Sequence, residues 1–206
     1  MKLNTRISDL CKNIFISAIQ DYHYKNEIDQ SVENPYPIHT LEHLLYLKCW
    51  IDLVQWHMED EVRNPLIDPA LGLDWKRKID ASNQKRTNLV EEIDDYFYSK
   101  YFQINPKGNA RINTESPAWA IDRLSILSLK IYHMKEEAIR IDATEQHVFN
   151  CEEKLRILLV QDVDLCHSLN ELLNDIEEGR KIMKVYKQMK MYNDADLNPI
   201  LYKRGV

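Results

Sequence analysis

The sequence predicts an all-α protein, a single-domain bundle of five to six helices that includes a long antiparallel helical hairpin. Three observations predict it. Apolar residues recur at three- and four-residue spacing over most of the 206 residues, as amphipathic helices require. Proline and capping residues punctuate these runs where helices would start and stop. Leu155, Asp162, Leu169 and Ile176 repeat every seven residues, a coiled-coil-like face suited to an antiparallel neighbour. Hydrophobic residues make up 44% and charged residues 29%, which fits one globular domain over 1–206 with an irregular tail at 193–206.

Ile7, Leu10, Cys11, Ile14, Ala18 and Tyr22 place a first helix at about 4–28. His23 near its end reads as a helix-end or surface residue. The connection QSVENPYPI (30–38) carries two prolines, each of which disfavours a helical residue before it. The second helix, within 39–63, carries Leu44, Leu47, Ile51, Val54, Met58 and Val62 on one face and Asp52, Glu59 and Arg63 on the other. A border stripe of His39, His43, Tyr46, Trp50, His57 and Glu61 lies between them. Thr40 as N-cap would leave His39 outside the helix, whereas Pro37 as first residue would bring His39 in line with His43.

Asn64-Pro65 closes that helix, and Asp68-Pro69 opens the third, expected over about 69–103. Its stripe of Asp80, Asn83, Gln84, Thr87, Glu91 and Asp94 reads as solvent face, with the wall of a polar cavity as the alternative. The long loop 104–116 follows, and Ser116-Pro117 starts a fourth helix in which Asp122, Arg123, Lys130 and His133 are the charged or imidazole-bearing residues between 117 and 134. Such a helix must meet protein on both sides, and a buried Asp122 or Arg123 would need a partner. Asp142 with Glu145 resembles a capping box for the fifth helix, where Asp162 would fix register or reach a polar centre. After Gly179, RKIMKVYKQMKMY (180–192) bears five cations and reads as a basic helix.

Composition narrows the function. Four glycines supply no phosphate-cradling loop. Cys11, Cys49, Cys151 and Cys166 lack C-x-x-C spacing, as expected of buried thiols in a reducing compartment. The N-terminal segment lacks the apolar run of a signal peptide, and no run spans a bilayer, so a cytoplasmic location is expected. A net charge of −6 argues against specific nucleic-acid binding.

Two functional readings stay open. In the first, His43, Trp50, His57, Asp122, Arg123 and His133 line a polar pocket of a ligand-binding or accessory protein. Lys184 and Lys187 of the basic segment would then recruit a phosphorylated or sugar-containing small ligand, or an acidic protein partner, with no cofactor. In the second, a metal-assisted hydrolase or transferase uses His39, Glu42 and His43 around one divalent metal ion. HTLEH matches the H-x-x-E-H pattern, but a glycine-poor helical chain lacks the scaffold of those peptidases. A homodimer through the heptad face at 155–176 is a third possibility.

The strings IDLVQWHMEDEVRNP (51–65), KIDASNQKRTNLVE (78–91), NTESPAWAIDRLSILSLKIYHM (113–134) and KVYKQMKMYNDADLNPILY (184–202) resemble the bacterial family named domain of unknown function 4254. The likeness runs from about Pro37 to Tyr202. It implies a bacterial accessory protein in a setting of surface-glycan assembly, and assigns no activity to a residue.

Overall fold

Cap residues decide where each helix begins. A computed structural model describes residues 6–191 and 194–203; residues 4, 5, 192, 193 and 204–206 of the segments anticipated above lie outside the described residues. The helices are α1 (Ile7–Lys25), α2 (Leu41–Arg63), α3 (Pro69–Tyr101), α4 (Pro117–Ala138), α5 (Glu145–Glu177) and the short α6 (Pro199–Tyr202), which interrupts the tail expected to be irregular. Thr40 accepts the His43 amide at the start of α2. His39 therefore sits outside the helix, in the left-handed region at φ 71. Asp68 caps α3 and Ser116 caps α4, each followed by proline, which has no amide hydrogen to leave orphaned there. Thr144, not Asp142, caps α5 by accepting the His147 amide, because its hydroxyl stands one residue before the first helical turn.

The core is apolar and shared by five helices: Ile14, Phe15 and Ala18 of α1, Leu45, Cys49 and Leu53 of α2, Val90, Ile93 and Phe97 of α3, Ile121 and Leu124 of α4, and Leu169, Leu172 and Ile176 of α5. Helices α4 and α5 form the expected hairpin and pack closely along their length. The heptad face is tightest in its second half: Leu169, Leu172, Leu173 and Ile176 are buried, whereas Leu159 is exposed. Asp162 leaves that face to pair with Lys12 of α1. Contacts between Lys48 and Asp122, Asp52 and Ser125, and His57 and His133 show that α2 and α4 run in the same direction. No helix among the described residues is long and apolar enough to cross a membrane.

Charge pairing overturns the expected faces of α2. Asp52 is not on an outer face of α2: the innermost face is Leu41, Leu45, Cys49 and Leu53, and Leu44, Leu47, Ile51 and Val54 are only partly covered. Lys48 is fully buried. Its ammonium pairs with Asp52 and lies 2.9 Å from Asp122 of α4, while Arg86 of α3 reaches the same Asp122 at 3.1 Å and Ser125 donates to Asp52 at 2.6 Å. Two cations thus meet two carboxylates across three helices, which makes an interior site tolerable for all four. Burial pushes the Asp52 carboxyl upward, and Lys48 opposes that shift.

Residues 180–190 are not a helix. Gly179 takes φ 69, and a Cβ there would meet the Asn105 carbonyl at 2.9 Å, so α5 ends and the chain turns away. The segment becomes an extended strap. Ile182 donates to the Arg111 carbonyl at 3.0 Å, Gln188 donates to Glu91 at 2.9 Å, and Lys187 lies 3.0 Å from Asp95. Lys187 pairs with Glu91 and Asp95 on the outer face of α3, whereas Arg180 and Lys181 pair with Asp175 and Lys190 donates to the Asn83 carbonyl.

Replacing Lys48 with Met should lower the unfolding free energy by about 3–5 kcal/mol in urea titrations, because two carboxylates lose their cation. Adding Asp52→Asn should recover part of that loss. By contrast, Lys187→Ala should change stability by less than about 1 kcal/mol, since its ion pairs are solvated.

Candidate functional site

Three helices each bring one imidazole to a common point. His23 lies in the last turn of α1, His57 in the second half of α2 and His133 near the end of α4. One ring nitrogen of each lies within 4.8 Å of those of the other two. The ring centroids are 5.7 Å apart for His23 and His57, 5.4 Å for His23 and His133, and 5.8 Å for His57 and His133. The rings are inclined to one another by 66–83°, so they meet by their edges.

Which edge meets is set by what the other nitrogen does. His23 Nδ1 lies 2.7 Å from the Ile19 carbonyl, which can only accept, so Nδ1 carries the hydrogen and Nε2 a free lone pair. His133 Nδ1 lies 3.1 Å from a Glu136 carboxylate oxygen, with the same result. The Nε2 atoms of His23, His57 and His133 are all buried, and none has a hydrogen-bond partner. Burial holds the His23 and His57 imidazoles below their usual range, with neighbouring imidazoles adding to the effect. Both rings are therefore neutral at pH 7, the form in which a nitrogen can bind a metal.

Aromatic residues enclose the cluster. Tyr22 stacks on His57 with centroids 5.2 Å apart, Trp56 stacks on His133 at 4.8 Å, and Tyr132 lies 4.4 Å from His23. Burial pushes the Tyr22 phenol up to about 12, so it stays protonated. The dimensions suit an ion. With Zn–N bonds of ~2.1 Å and tetrahedral arms, three imidazole centroids would stand about 5.2 Å apart, within roughly half an ångström of those observed. A carbonyl or carboxylate on the remote nitrogen is also the usual support for a ligating histidine.

The other candidates distribute differently. Exposed His39 and partly covered His43 join no cluster of metal-ligand spacing among the described residues. His43 Nδ1 instead lies 2.9 Å from the Tyr36 carbonyl, and Glu42 is partly exposed at the α2 start. Trp50 is core, edge-on to Tyr22. Arg123 is exposed and pairs with Glu115, and it shares with Asp122 the lining of a cavity of about 730 Å³ that the imidazoles do not reach. Lys184 lies over the Tyr186 ring at 5.3 Å and, like Lys187, belongs to the strap, remote in sequence from the imidazoles.

His57 and His133 are both candidates from sequence, whereas His23, which reads as a helix-end or surface residue, does sit at the α1 end but is partly buried there. A lone histidine at a helix end carries no periodic signal; only the crossing of α1 over α2 and α4 brings it in. Glu136, one turn after His133, orients that ring through Nδ1.

Beside the cluster, a cavity of about 390 Å³ is lined by Asp52, Gln55, Trp56, Glu59, Arg63 and Arg86, among others. The buried Gln55 Oε1 and Arg86 Nε have no hydrogen-bond partner. Trp56 is common to this cavity and to the wall of the imidazole cluster.

Comparison with known proteins adds one finding. No curated protein and no solved structure matches the chain. The family described as Protein of unknown function (DUF4254) matches residues 42–185, a span that holds His57, His133, Lys48, Asp52, Arg86 and Asp122. The chain belongs to the DUF4254 family.

Proposed function

We propose that the protein binds a divalent transition metal, zinc by preference, through His23, His57 and His133, and uses it in metal-assisted hydrolysis or group transfer. One observation carries this reading: three helices each bring one imidazole nitrogen within 4.8 Å of the other two, and the Nε2 atom of each ring is buried without a hydrogen-bond partner. Three neutral nitrogens suit zinc. A three-ligand set leaves a position for water or substrate, where the ion supplies Lewis-acid chemistry. The chain's own groups orient two of the rings through Ile19 and Glu136 and shield them with Trp56 and Tyr22.

A second reading, capture of an anionic small ligand such as a sugar phosphate, draws on the adjoining cavity. There the unpartnered Arg86 Nε and Gln55 Oε1 offer one donor and one acceptor, a pairing suited to a ligand with both phosphate and hydroxyl groups. The two readings are compatible, since Trp56 borders both places.

Elemental analysis of protein purified without chelator tests the metal. His57→Ala and His133→Ala should each lose one equivalent of divalent metal relative to the parent chain, while His43→Ala retains it. Zinc added to metal-stripped protein at about 100 times the Kd of this site should stabilise it by about 2.7 kcal/mol more than it stabilises the His57→Ala variant. Variants that keep the parent's full metal content would sink the proposal.

Metal-stripped protein should also respond to pH in a set direction. His23 and His57 have folded pKa values below the unfolded value of about 6.5. The unfolded chain therefore binds more protons, and stability should fall as pH drops through 6.5. Calorimetry between about pH 5 and 8 should show this slope reduced in His57→Gln.

A further inference from the structure

A second group of donors converges where α4 turns into α5, and its chemistry differs from that of the three imidazoles. Glu137 in the last turn of α4 places Oε2 2.8 Å from His147 Nε2, and Cys151 Sγ lies 3.3 Å from the same nitrogen. His147 and Cys151 stand four residues apart on the first turns of α5, so both project from one face. The Thr144 cap fixes where that face begins. Cys151 is buried, and Glu137 and His147 are partly exposed, which leaves the group reachable from outside.

Protons alone satisfy this arrangement poorly. If Nε2 carries a hydrogen, it can bond the carboxylate well, and the thiol hydrogen then finds no acceptor on that ring. If Nε2 carries none, the thiol can donate to it, and the lone pair then faces a carboxylate oxygen at 2.8 Å. A divalent cation resolves both cases by attracting all three atoms. Tetrahedral zinc holds its N and O ligands about 3.3 Å apart and its N and S ligands about 3.6 Å apart. The observed separations are short of these by only about half an ångström or less. Arg140 also donates to Glu137 Oε2 at 2.8 Å and pairs with Asp142 at 3.2 Å, which steadies the carboxylate while leaving Sγ and the imidazole untouched.

We propose that Glu137, His147 and Cys151 form a second metal site, thiolate-containing and suited to zinc or another soft divalent transition metal, distinct from the three-imidazole centre. It stands independently of the function proposed above. The donor set of one sulfur, one nitrogen and one oxygen favours such ions over magnesium or calcium. His133 and Glu137, four residues apart on α4, both line a cavity of about 410 Å³ with Trp56, Met134, Ile157 and Leu158. The two sites therefore border one largely apolar space.

Cobalt(II) titrated into the metal-stripped full-length protein separates the sites by absorption. A thiolate ligand gives an intense near-ultraviolet sulfur-to-cobalt band that three imidazoles cannot give. The band should vanish in Cys151→Ser and persist in His57→Ala, where it should saturate at one cobalt per chain. Glu137→Gln should weaken the affinity read from that band at least about tenfold, which keeps the test valid should Cys151→Ser fold poorly. Absence of the band in the parent protein, its survival in Cys151→Ser, or unchanged affinity in Glu137→Gln would each overturn the proposal.

Discussion

The structure depends on how a fully buried lysine is neutralised. Lys48 has no access to water, and a lone ammonium in such a place is far too costly to keep. Asp52 on its own helix and Asp122 on α4 supply the counter-charge, and Arg86 from α3 balances the second carboxylate. Because these contacts are short and directional, they tie three helices to one relative height. A slip of one helical turn, about 5.4 Å, would part Lys48 from Asp122 and leave charges buried without partners. Apolar side chains alone would tolerate such a slip more readily.

That relative height has a consequence further along the same two helices. With Lys48 level with Asp122 and Asp52 level with Ser125, the parallel course of α2 and α4 carries His57 to His133. Helix α1 is anchored separately, by Lys12 to Asp162 and by Ser8 to Asn170 of α5. This brings its last turn, with Tyr22 and His23, against the same place. Charge pairing at mid-bundle and hydrogen bonding along α1 thus jointly position three rings that share no sequence neighbourhood.

Much of the scaffold was legible from the chain. Pro69 and Pro117 after Asp68 and Ser116 mark two helix starts because the capping oxygen and the missing amide act locally. The α4–α5 hairpin follows from the leucine repeat for the same reason. What failed was non-local. Asp52 read as an outward residue because periodicity alone does not reveal that Lys48 and Asp122 would draw it inside. The H-x-x-E-H string drew attention to His39 and His43, yet the Thr40 cap leaves His39 outside α2, and Tyr36 engages the His43 ring. The cations of 180–190 are visible, but Lys187 finds its partners Glu91 and Asp95 on α3, and Gly179 in the left-handed region turns the chain out of α5 into the strap.

The strongest argument for a ligand at the three imidazoles is energetic. Each buried polar atom left without a partner costs about 1–3 kcal/mol, so the three Nε2 atoms together cost roughly 3–9 kcal/mol. A domain whose whole stability is of the order of 5–15 kcal/mol can carry such a burden only if something offsets it. Protonation is a poor remedy, since burial and the neighbouring rings already disfavour charge on His23 and His57. A water could donate to two of the three nitrogens and would satisfy the third only by accepting a hydrogen from it. A metal cation engages all three at once and needs the neutral rings that this environment enforces, so the features that make the cluster unfavourable by itself are those that make it a good ligand set.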